Sequence, residues 1–289
     1  MKVVIYGAHG QVGEALVRHC TDESVELICL SRQDQGGDLL SLKELEERLL
    51  ALSPDVIVNA AAYTKVDEAE SHVDEAMVVN ALAPEVMARC AKQMGTLLIH
   101  FGTDYVFNGT GDRAWRENDM SSPINVYGRT KLAGESAVIR SGCRYVILRV
   151  SWVHAPGHKN FITSLMTWLK SRPVVDVVSD QWGSPTSADE IARGVRAVIG
   201  RAINDKHVDG IYHFTNAGVT NRYQCALFVA ELLGEELSRV RAVDSFAFTL
   251  PAKRPLNCRL STSKFSKVFA FEFQSWQEGV KATVLKTMA

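Results

Sequence analysis

The sequence predicts an α/β protein: a doubly wound, Rossmann-type parallel sheet with a smaller C-terminal domain interleaved with it. Two observations predict this fold class. Short apolar runs alternate with helical stretches over the first 150 residues, and such alternation is typical of parallel strands joined by right-handed crossovers. A glycine-rich turn at residues 7–13 lies between the first apolar run and the first helical stretch, which is the context of a dinucleotide-binding turn.

Five short apolar runs are predicted as strands, at residues 3–6, 27–30, 56–58, 97–99 and 146–148. Their apolar residues do not alternate with polar ones, as expected for strands that helices cover on both faces. Helices are predicted at about residues 11–20, 41–52, 72–94, 127–140, 160–171, 188–200 and 222–234.

The alternation loosens after residue 150, where loops with Gly, Pro and Asn separate the helices. We therefore predict two interleaved domains. The dinucleotide-binding domain takes residues 1–150 and about 176–202, and the smaller domain takes about 151–175 and 203–289. A chain of 289 residues is long enough to give each of them a hydrophobic core.

The composition excludes several classes of protein. A formal net charge of −1 provides no field that would attract nucleic acid or an anionic membrane, so neither is an expected partner. The six cysteines are scattered without a Cys-x-x-Cys motif, which predicts reduced thiols, no zinc site and a cytoplasmic location. No apolar run approaches the ~20 residues needed to span a bilayer, and no charged segment precedes an apolar signal core.

Three glycines in the turn, Gly7, Gly10 and Gly13, have the spacing Gly-x-x-Gly-x-x-Gly. Glycine permits a tight turn, close approach of the backbone to a pyrophosphate, and close packing of the helix on the sheet. Backbone N–H groups and the positive end of the helix dipole would then bind the phosphates of a dinucleotide. The alternative is a glycine turn with a purely structural role.

The second predicted strand is followed by Ser31 and Arg32, where an NAD-preferring site normally has an acidic residue for the ribose hydroxyls. An arginine suits the additional 2′-phosphate of NADP, so NADPH is the predicted cofactor and NADH the alternative. The competing interpretation makes Arg32 a solvated loop residue. Asp38 and Leu39 are predicted either to contact the adenine or to begin the next helix.

Tyr127 and Lys131 stand four residues apart in a predicted helix, so their side chains share one face. A free tyrosine titrates near pH ~10, and a neighbouring ammonium group is predicted to lower that pKa, which makes the pair a candidate general acid and base. Thr103 follows the fourth predicted strand, at the sheet edge where doubly wound folds bind ligands. A hydroxyl, an acid and a cation together suit the reduction of a carbonyl group. The alternative is an exposed Tyr–Lys pair on a helix surface.

Further motifs follow in order along nearly the whole chain. They are residues 7–13, Asn59 to Thr64 with Val66-Asp67 and Ala69-Glu70, residues 103–107 and 127–131, Ser151-Trp152-Val153 with Asn160-Phe161, Asp180-Gln181 with Gly183, Pro185 and Thr186, and Arg254-Pro255 with Asn257, Arg259 and Leu260. In these motifs the chain resembles the extended short-chain dehydrogenase/reductases, and among them the family of dTDP-4-dehydrorhamnose reductases.

The resemblance implies roles for particular residues. Those implied to line the cofactor are Gly10, Gln11, Val12, Asp38, Leu39, Ala62, Tyr63, Thr64 and Phe101, which join Gly7, Gly13, Ser31, Arg32, Tyr127 and Lys131. Thr103, Asp104 and Trp152 are implied to contact a nucleotide-linked sugar. Arg254 is predicted to pair with the diphosphate, because a guanidinium binds phosphate in a bidentate manner. A core role for Trp152 and a solvated Arg254 are the alternatives.

Three positions depart from the family pattern. Gly102 replaces a serine, and His154 replaces a tyrosine. Some members bind Mg²⁺ between subunits through a glutamate after the glycine turn and a second glutamate, but here these positions are Ala15 and Asp189. A Mg²⁺-bridged dimer is therefore in doubt, no metal ligand is predicted, and both a monomer and a homodimer remain open.

The residue after Asp104 distinguishes two chemistries. Related 4,6-dehydratases have Thr-Asp-Glu here and use both acids in an elimination, whereas this chain has Tyr105. The resemblance therefore implies reduction by NADPH of the C4 keto group of dTDP-6-deoxy-L-lyxo-4-hexulose, with Tyr127 as proton donor. Two alternatives remain: a reductase of another nucleotide-linked 4-keto sugar, and a non-catalytic NADP-binding subunit like the regulatory subunit of methionine adenosyltransferase.

Overall fold

The computed structural model of the protein describes residues 1–20, 24–203 and 205–289. Twelve strands occur in these residues: β1 (Lys2–Tyr6), β2 (Glu26–Leu30), β3 (Val56–Asn59), β4 (Leu97–Thr103), β5 (Arg144–Val150), β6 (Val153–His154), β7 (Val175–Val178), β8 (Trp182–Gly183), β9 (Thr186–Ser187), β10 (Gly210–Phe214), β11 (Thr220–Asn221) and β12 (Val240–Val243). All five predicted strands are present, each within a few residues of its predicted bounds.

Six of these strands form the central sheet, in the order β2-β1-β3-β4-β5-β10. Every neighbouring pair is parallel, so the predicted doubly wound, Rossmann-type sheet is confirmed. The order reverses between β1 and β3, and ligands bind at such a switch point, beyond the carboxyl ends of the strands. The sixth strand, β10, was not predicted, because its short sequence GIYHF contains a buried histidine and has no continuous apolar run.

The α-helices of the described residues are α1 (Gln11–His19), α2 (Leu42–Leu52), α3 (Val73–Met77), α4 (Ala83–Met94), α5 (Val126–Ser141), α6 (Phe161–Ser171), α7 (Ala188–Ala202), α8 (Arg222–Leu232), α9 (Ser263–Phe269) and α10 (Trp276–Met288). The predicted helix 72–94 is continuous but contains a π-helical turn at Val78–Leu82 between α3 and α4. Helices α9 and α10 lie in a region for which no helix was predicted. Within the described ranges, no helix is both long and apolar enough to cross a membrane.

Alternate residues of each central strand pack on opposite faces of the sheet. Val3 and Ile5 of β1 belong to a core with α1, α7 and α9. Val4 and Tyr6 belong to a second core with α2, α4 and α5. Both faces are therefore covered, which explains why each strand of the first 150 residues contains a continuous apolar run.

A third core lies among α6, α8 and α10 and the parallel pair β7–β12. The segments that pack in this core and in the cores of the central sheet differ from the predicted division into domains in three places. Strand β10 and helix α9, which fall in the predicted smaller domain, pack with the central sheet. Strand β7 overlaps the start of the predicted 176–202 segment but contributes Val175 and Val177 to the third core. The two-domain division remains a prediction, with these three segments reassigned.

Candidate active site

A cavity of about 790 Å³ opens at the carboxyl ends of the central strands. The predicted site residues that line it are Gly7, Gly10, Gln11, Val12, Ser31, Arg32, Asp38, Leu39, Ala62, Tyr63, Thr64, Phe101, Thr103, Asp104, Tyr127, Lys131 and Trp152. They come from distant parts of the sequence, and the fold brings them together around one cavity. Two predicted residues, Gly13 and Arg254, do not line it.

The glycine turn has the geometry that a dinucleotide requires. Gly7 has a φ of 76°, and a Cβ atom there would lie 2.7 Å from the backbone N of Ala61, so only glycine fits between β1 and the segment after β3. Gly13 packs its helix on the turn, since a Cβ atom there would lie 2.0 Å from the carbonyl O of Gly7. Helix α1 begins at Gln11, which lines the cavity. The positive end of α1 therefore faces the space in which a pyrophosphate would bind.

Arg32 lies at the end of the cavity next to β2 and is well exposed. Its Nε is 3.4 Å from Oδ2 of Asp38, whose other carboxylate oxygen accepts the backbone N–H of Leu40. Asp38 therefore both lines the cavity and stabilises the following turn. The backbone N–H and the hydroxyl of Ser31 donate to Asp34 and, through these hydrogen bonds, hold the pKa of that exposed carboxyl below its usual value.

Arg32→Ala should lower the preference for NADPH over NADH, measured as the ratio of the two kcat/KM values. A guanidinium held loosely by a single acidic partner is available to a 2′-phosphate, and a charged hydrogen bond of this kind contributes roughly 1.5–3 kcal/mol. The ratio should therefore fall about tenfold or more, mainly through a higher KM for NADPH. An unchanged ratio would assign Arg32 to the solvated surface.

Tyr63 is positioned by Asn80, a residue for which the sequence predicted no role. The Asn80 side chain accepts the backbone N–H of Tyr63 and donates to its carbonyl and to the hydroxyl of Thr130 in α5. Asn80 lies in the π-helical turn, and π turns are frequent at functional sites. In the sequence it stands out only as one amide residue among the apolar residues of Val78–Leu82, and this pattern does not identify its partners.

Thr103 ends β4 and caps the short 3₁₀ helix that follows. Its hydroxyl donates to Oδ1 of Asp104 (3.1 Å) and accepts the backbone N–H of Tyr105 (3.2 Å). Asp104 is 3% exposed, and burial raises its pKa. The Thr103 hydroxyl is thus fixed at the cavity wall, with a proton that can be redirected from Asp104 to a substrate oxygen.

Tyr127 and Lys131 line the same cavity from the first turns of α5. Asn125 caps this helix by accepting the N–H of Gly128. Lys131 is only 2% exposed, and within the described chain its ammonium group makes no hydrogen bond. The alternative of an exposed surface pair is therefore wrong.

The predicted lowering of the Tyr127 pKa is also wrong for the protein alone. Burial raises the pKa of Tyr127 to about 12, and a hydrogen bond with Thr103 offsets only part of this effect. Burial likewise lowers the pKa of Lys131 to about 8, although the charge of Glu135 opposes the change. Desolvation is the largest cause of both shifts in pKa. Near pH 7 Tyr127 is protonated and Lys131 is mainly charged.

The unusual Gly102 makes room for a buried ion pair. A Cβ atom at Gly102 would lie 2.2 Å from Oε1 of Glu135. Glu135 is fully enclosed and accepts from Nε (3.0 and 3.1 Å) and Nη2 (2.7 Å) of Arg149, which also stacks on Phe107. The missing serine side chain is thus replaced by a carboxylate from α5, one helical turn beyond Lys131.

Arg254 and His154 do not line the cavity. Arg254 donates to Asp67 (2.7 Å) and to the carbonyl of Ala252 (3.1 Å). Because its guanidinium is held there, outside the cavity, this arrangement does not support the predicted pairing of Arg254 with a diphosphate. His154 is buried, contacts the hydroxyl of Thr283, and has a pKa lowered by burial to about 3.

The cavity also contains side chains for which no role was predicted. His158, Lys159 and Arg222 line it from the loop before α6 and the start of α8. His158 pairs with Glu14 at 3.0 Å, which joins that loop to α1. The sequence provided only the neighbouring Asn160-Phe161 motif as a signal for this wall, and no signal for Arg222.

Cationic side chains surround Asp189, which stands at the position of the second glutamate of the metal site in some family members. Asp189 binds Arg18 (2.9 Å) and Lys286 (2.8 Å), and these partners hold its pKa at about 2 against the effect of burial. Ala15 is buried in the core. Across the described ranges, no group of three or more His, Cys, Asp or Glu residues could hold a metal ion.

Comparison with known proteins agrees with this geometry. The family model described as the RmlD substrate binding domain matches residues 1–289. The dTDP-4-dehydrorhamnose reductase of Escherichia coli (strain K12) is 38% identical over 287 residues, covering 97% of this chain and 96% of that protein.

Two solved structures extend the likeness to the fold. The crystal structure of a dTDP-4-dehydrorhamnose reductase from Clostridium acetobutylicum has a TM-score of 0.93 at 30% identity, covering 100% of both chains. The Bacillus anthracis dTDP-4-dehydrorhamnose reductase, solved in complex with NADP, has a TM-score of 0.91 at 28% identity, covering 99% of both chains. The chain therefore belongs to the RmlD family, that of the dTDP-4-dehydrorhamnose reductases.

Proposed function

We propose that the protein reduces the C4 keto group of dTDP-6-deoxy-L-lyxo-4-hexulose (dTDP-4-dehydro-L-rhamnose) with NADPH, forming dTDP-L-rhamnose. The observation that carries the proposal is the placement of Thr103, Tyr127 and Lys131 in one cavity with the glycine turn. The substrate class and the cofactor come from the family, whose members are named for this reaction. Six free cysteines support a reducing compartment, and we infer that the reaction takes place in the cytosol.

The residues of the cavity fit the cofactor. The turn at Gly7 leaves backbone space for a pyrophosphate, and Lys131 has no protein acceptor for its ammonium group among the described residues, which suits the hydroxyls of a ribose. Bound NADPH would supply the hydride. Residues of the chain would orient the two reactants and exclude water from the reaction.

The proton comes from Tyr127, which is in the protonated form that a reduction consumes. The Thr103 hydroxyl holds the carbonyl oxygen as negative charge develops on it. Tyr127 then transfers its proton to this oxygen, and the Lys131 ammonium stabilises the resulting tyrosinate. Tyr105 occupies the position at which a dehydratase has a glutamate, and burial raises its pKa, so this side chain remains a neutral phenol and does not replace the missing carboxylate.

The reaction can be tested by measuring NADPH oxidation with a panel of nucleotide-linked 4-keto sugars that differ in base and in C5 configuration. We expect the highest kcat/KM for the dTDP-linked L-lyxo compound, with product NMR reporting the L-rhamno configuration at C4. A higher kcat/KM for another member of the panel would identify a different reductase. No oxidation of NADPH with any member, together with co-purification of a larger enzyme, would favour a regulatory subunit.

The kcat/KM should be constant between about pH 6 and pH 7 and should fall above about pH 8. This ratio follows the free enzyme, in which Lys131 loses its proton near pH 8 while Tyr127 remains protonated to about pH 12. Loss of the ammonium charge removes the group that stabilises the tyrosinate, so activity decreases as pH rises. A profile that increases from pH 7 to pH 9 would contradict this role of Lys131.

A further inference from the structure

Arg222, the first residue of α8, lines the cavity without a polar partner. Its guanidinium carbon lies 3.8 Å from the centroid of the Trp152 ring and 4.8 Å from that of Phe161. Within the described ranges, its side chain makes no hydrogen bond and no ion pair with an acidic residue. All of its N–H donors are therefore available to a ligand, while the two aromatic rings fix the plane of the group.

The surroundings of Trp152 make this stack rigid. Trp152 has a φ of 47°, an uncommon conformation for a residue with a side chain, and such conformations concentrate at functional sites. Gly183 packs closely against the indole, since a Cβ atom there would lie 2.9 Å from Cε2. A nucleobase cannot stack on the ring face covered by Arg222 unless the guanidinium moves away. This part of the cavity wall therefore presents the positive charge of Arg222 to a ligand.

A guanidinium in this position suits an anion as its ligand. Burial lowers the pKa of Arg222, which reflects the cost of keeping its charge away from water. Arg32 and Lys131, which also line the cavity, have a different partner or a different position. Arg32 pairs with Asp38 beside β2, and Lys131 lies next to Tyr127. Arg254 is bound to Asp67 outside the cavity.

We propose that Arg222 binds the diphosphate of the sugar nucleotide and thereby selects nucleoside diphosphate-linked substrates. The inference rests on the proposed function, which supplies the class of substrate. A planar guanidinium presents parallel N–H donors that match two phosphate oxygens. Arg222 thus takes the role that the sequence suggested for Arg254, and it anchors the substrate next to Trp152 and Thr103.

The test compares the binding of dTDP and thymidine to the NADP⁺-loaded protein by calorimetry. Arg222→Gln should weaken dTDP binding roughly 10–100-fold, since a charged hydrogen bond contributes about 1.5–3 kcal/mol, and should change thymidine binding less than about twofold. Arg222→Lys keeps the positive charge but loses the paired N–H donors of the guanidinium. Its affinity for dTDP should lie between those of the unmodified protein and Arg222→Gln. NADPH affinity should be unchanged in both variants and serves as the check that they are folded.

Arg259→Gln is the matched control. Arg259 also stacks on a tryptophan, Trp182, with its guanidinium carbon 4.7 Å from the ring centroid, but it donates to Asn257 and does not line the cavity. This variant should bind dTDP like the unmodified protein.

Four results would overturn the inference. Equal losses for dTDP and thymidine would mean that Arg222 only supports Trp152, and a selective loss of NADPH affinity would assign it to the cofactor. Unchanged dTDP binding in Arg222→Gln would exclude it as the anchor while leaving the proposed reaction intact. If the unmodified protein binds no dTDP and reduces no keto sugar, the proposed function fails, and the inference fails with it.

Discussion

Tyr127→Phe should lower kcat by about 10²–10⁴-fold, the range expected for loss of a general acid. The substitution removes one oxygen atom and leaves the ring, which makes an edge contact with Tyr105 at 5.7 Å between centroids. The cavity should therefore keep its shape, and the affinity for NADPH should change by less than about twofold. Stopped-flow single turnovers, which isolate the chemical step, and a fluorescence titration with NADPH measure the two quantities.

Tyr145→Phe provides the control for Tyr127→Phe. Tyr145 is a partly buried tyrosine of β5 that packs in the core with α4 and α5 and does not line the cavity. It should retain full turnover. If Tyr127→Phe also retains near-normal turnover, the proton comes from another group, and a solvent path through Thr103 and Asp104 becomes the next candidate.

The sequence was sufficient for the parts of this protein that depend on local pattern. Apolar runs located the five strands of the first 150 residues because strands covered on both faces are mainly apolar and do not alternate between apolar and polar residues. The glycine turn was identified because steric space at Gly7 and Gly13 permits no other residue. The end of β4 and the start of α5 placed Thr103, Tyr127 and Lys131 at one sheet edge by topology alone.

Features that depend on long-range packing were not predictable in this way. Arg222 reaches the cavity from a residue more than ninety positions beyond Tyr127, and its aromatic partners Trp152 and Phe161 are distant in sequence. The pKa of Tyr127 depends on burial, which the spacing of Tyr127 and Lys131 does not report. Arg254 was expected to contact the substrate, but its acidic partner Asp67 lies 187 positions away. In each case a tertiary contact determines the chemistry of the side chain.

Glu135→Gln should reduce the free energy of unfolding by about 3–5 kcal/mol, the usual cost of removing one partner of a buried ion pair. Glu135 is 1% exposed and Arg149 is 3% exposed, so the remaining guanidinium charge would have no access to water. The neutral amide also presents a donor to Arg149 where an acceptor is needed. Equilibrium unfolding in urea measures the difference, provided that the slope of the transition is unchanged.

The surface variant Glu46→Gln is the matched control for this loss. Glu46 and Arg89 form an ion pair at 2.8 Å, close to the 2.7 Å between Glu135 and Arg149, but both side chains are exposed. Its loss should cost less than about 1 kcal/mol. Replacing both buried partners, as in Glu135→Leu with Arg149→Met, should recover part of the stability lost by Glu135→Gln, because no uncompensated charge remains. Similar losses for Glu135→Gln and Glu46→Gln would mean that burial does not strengthen the pair.

Glu135→Gln should also change the pH dependence of the reaction. The carboxylate of Glu135 raises the pKa of Lys131 and thereby offsets part of the effect of burial. Without this charge the ammonium is less stable, so the pKa of Lys131 falls below about 8 and the decrease in kcat/KM begins at a lower pH. If kcat/KM of Glu135→Gln decreases over the same pH range as that of the unmodified protein, despite the loss of stability, the Glu135–Arg149 pair has only a structural role. A decrease that begins at a lower pH would mean that the same buried carboxylate both stabilises the end of β4 and sets the charge on Lys131.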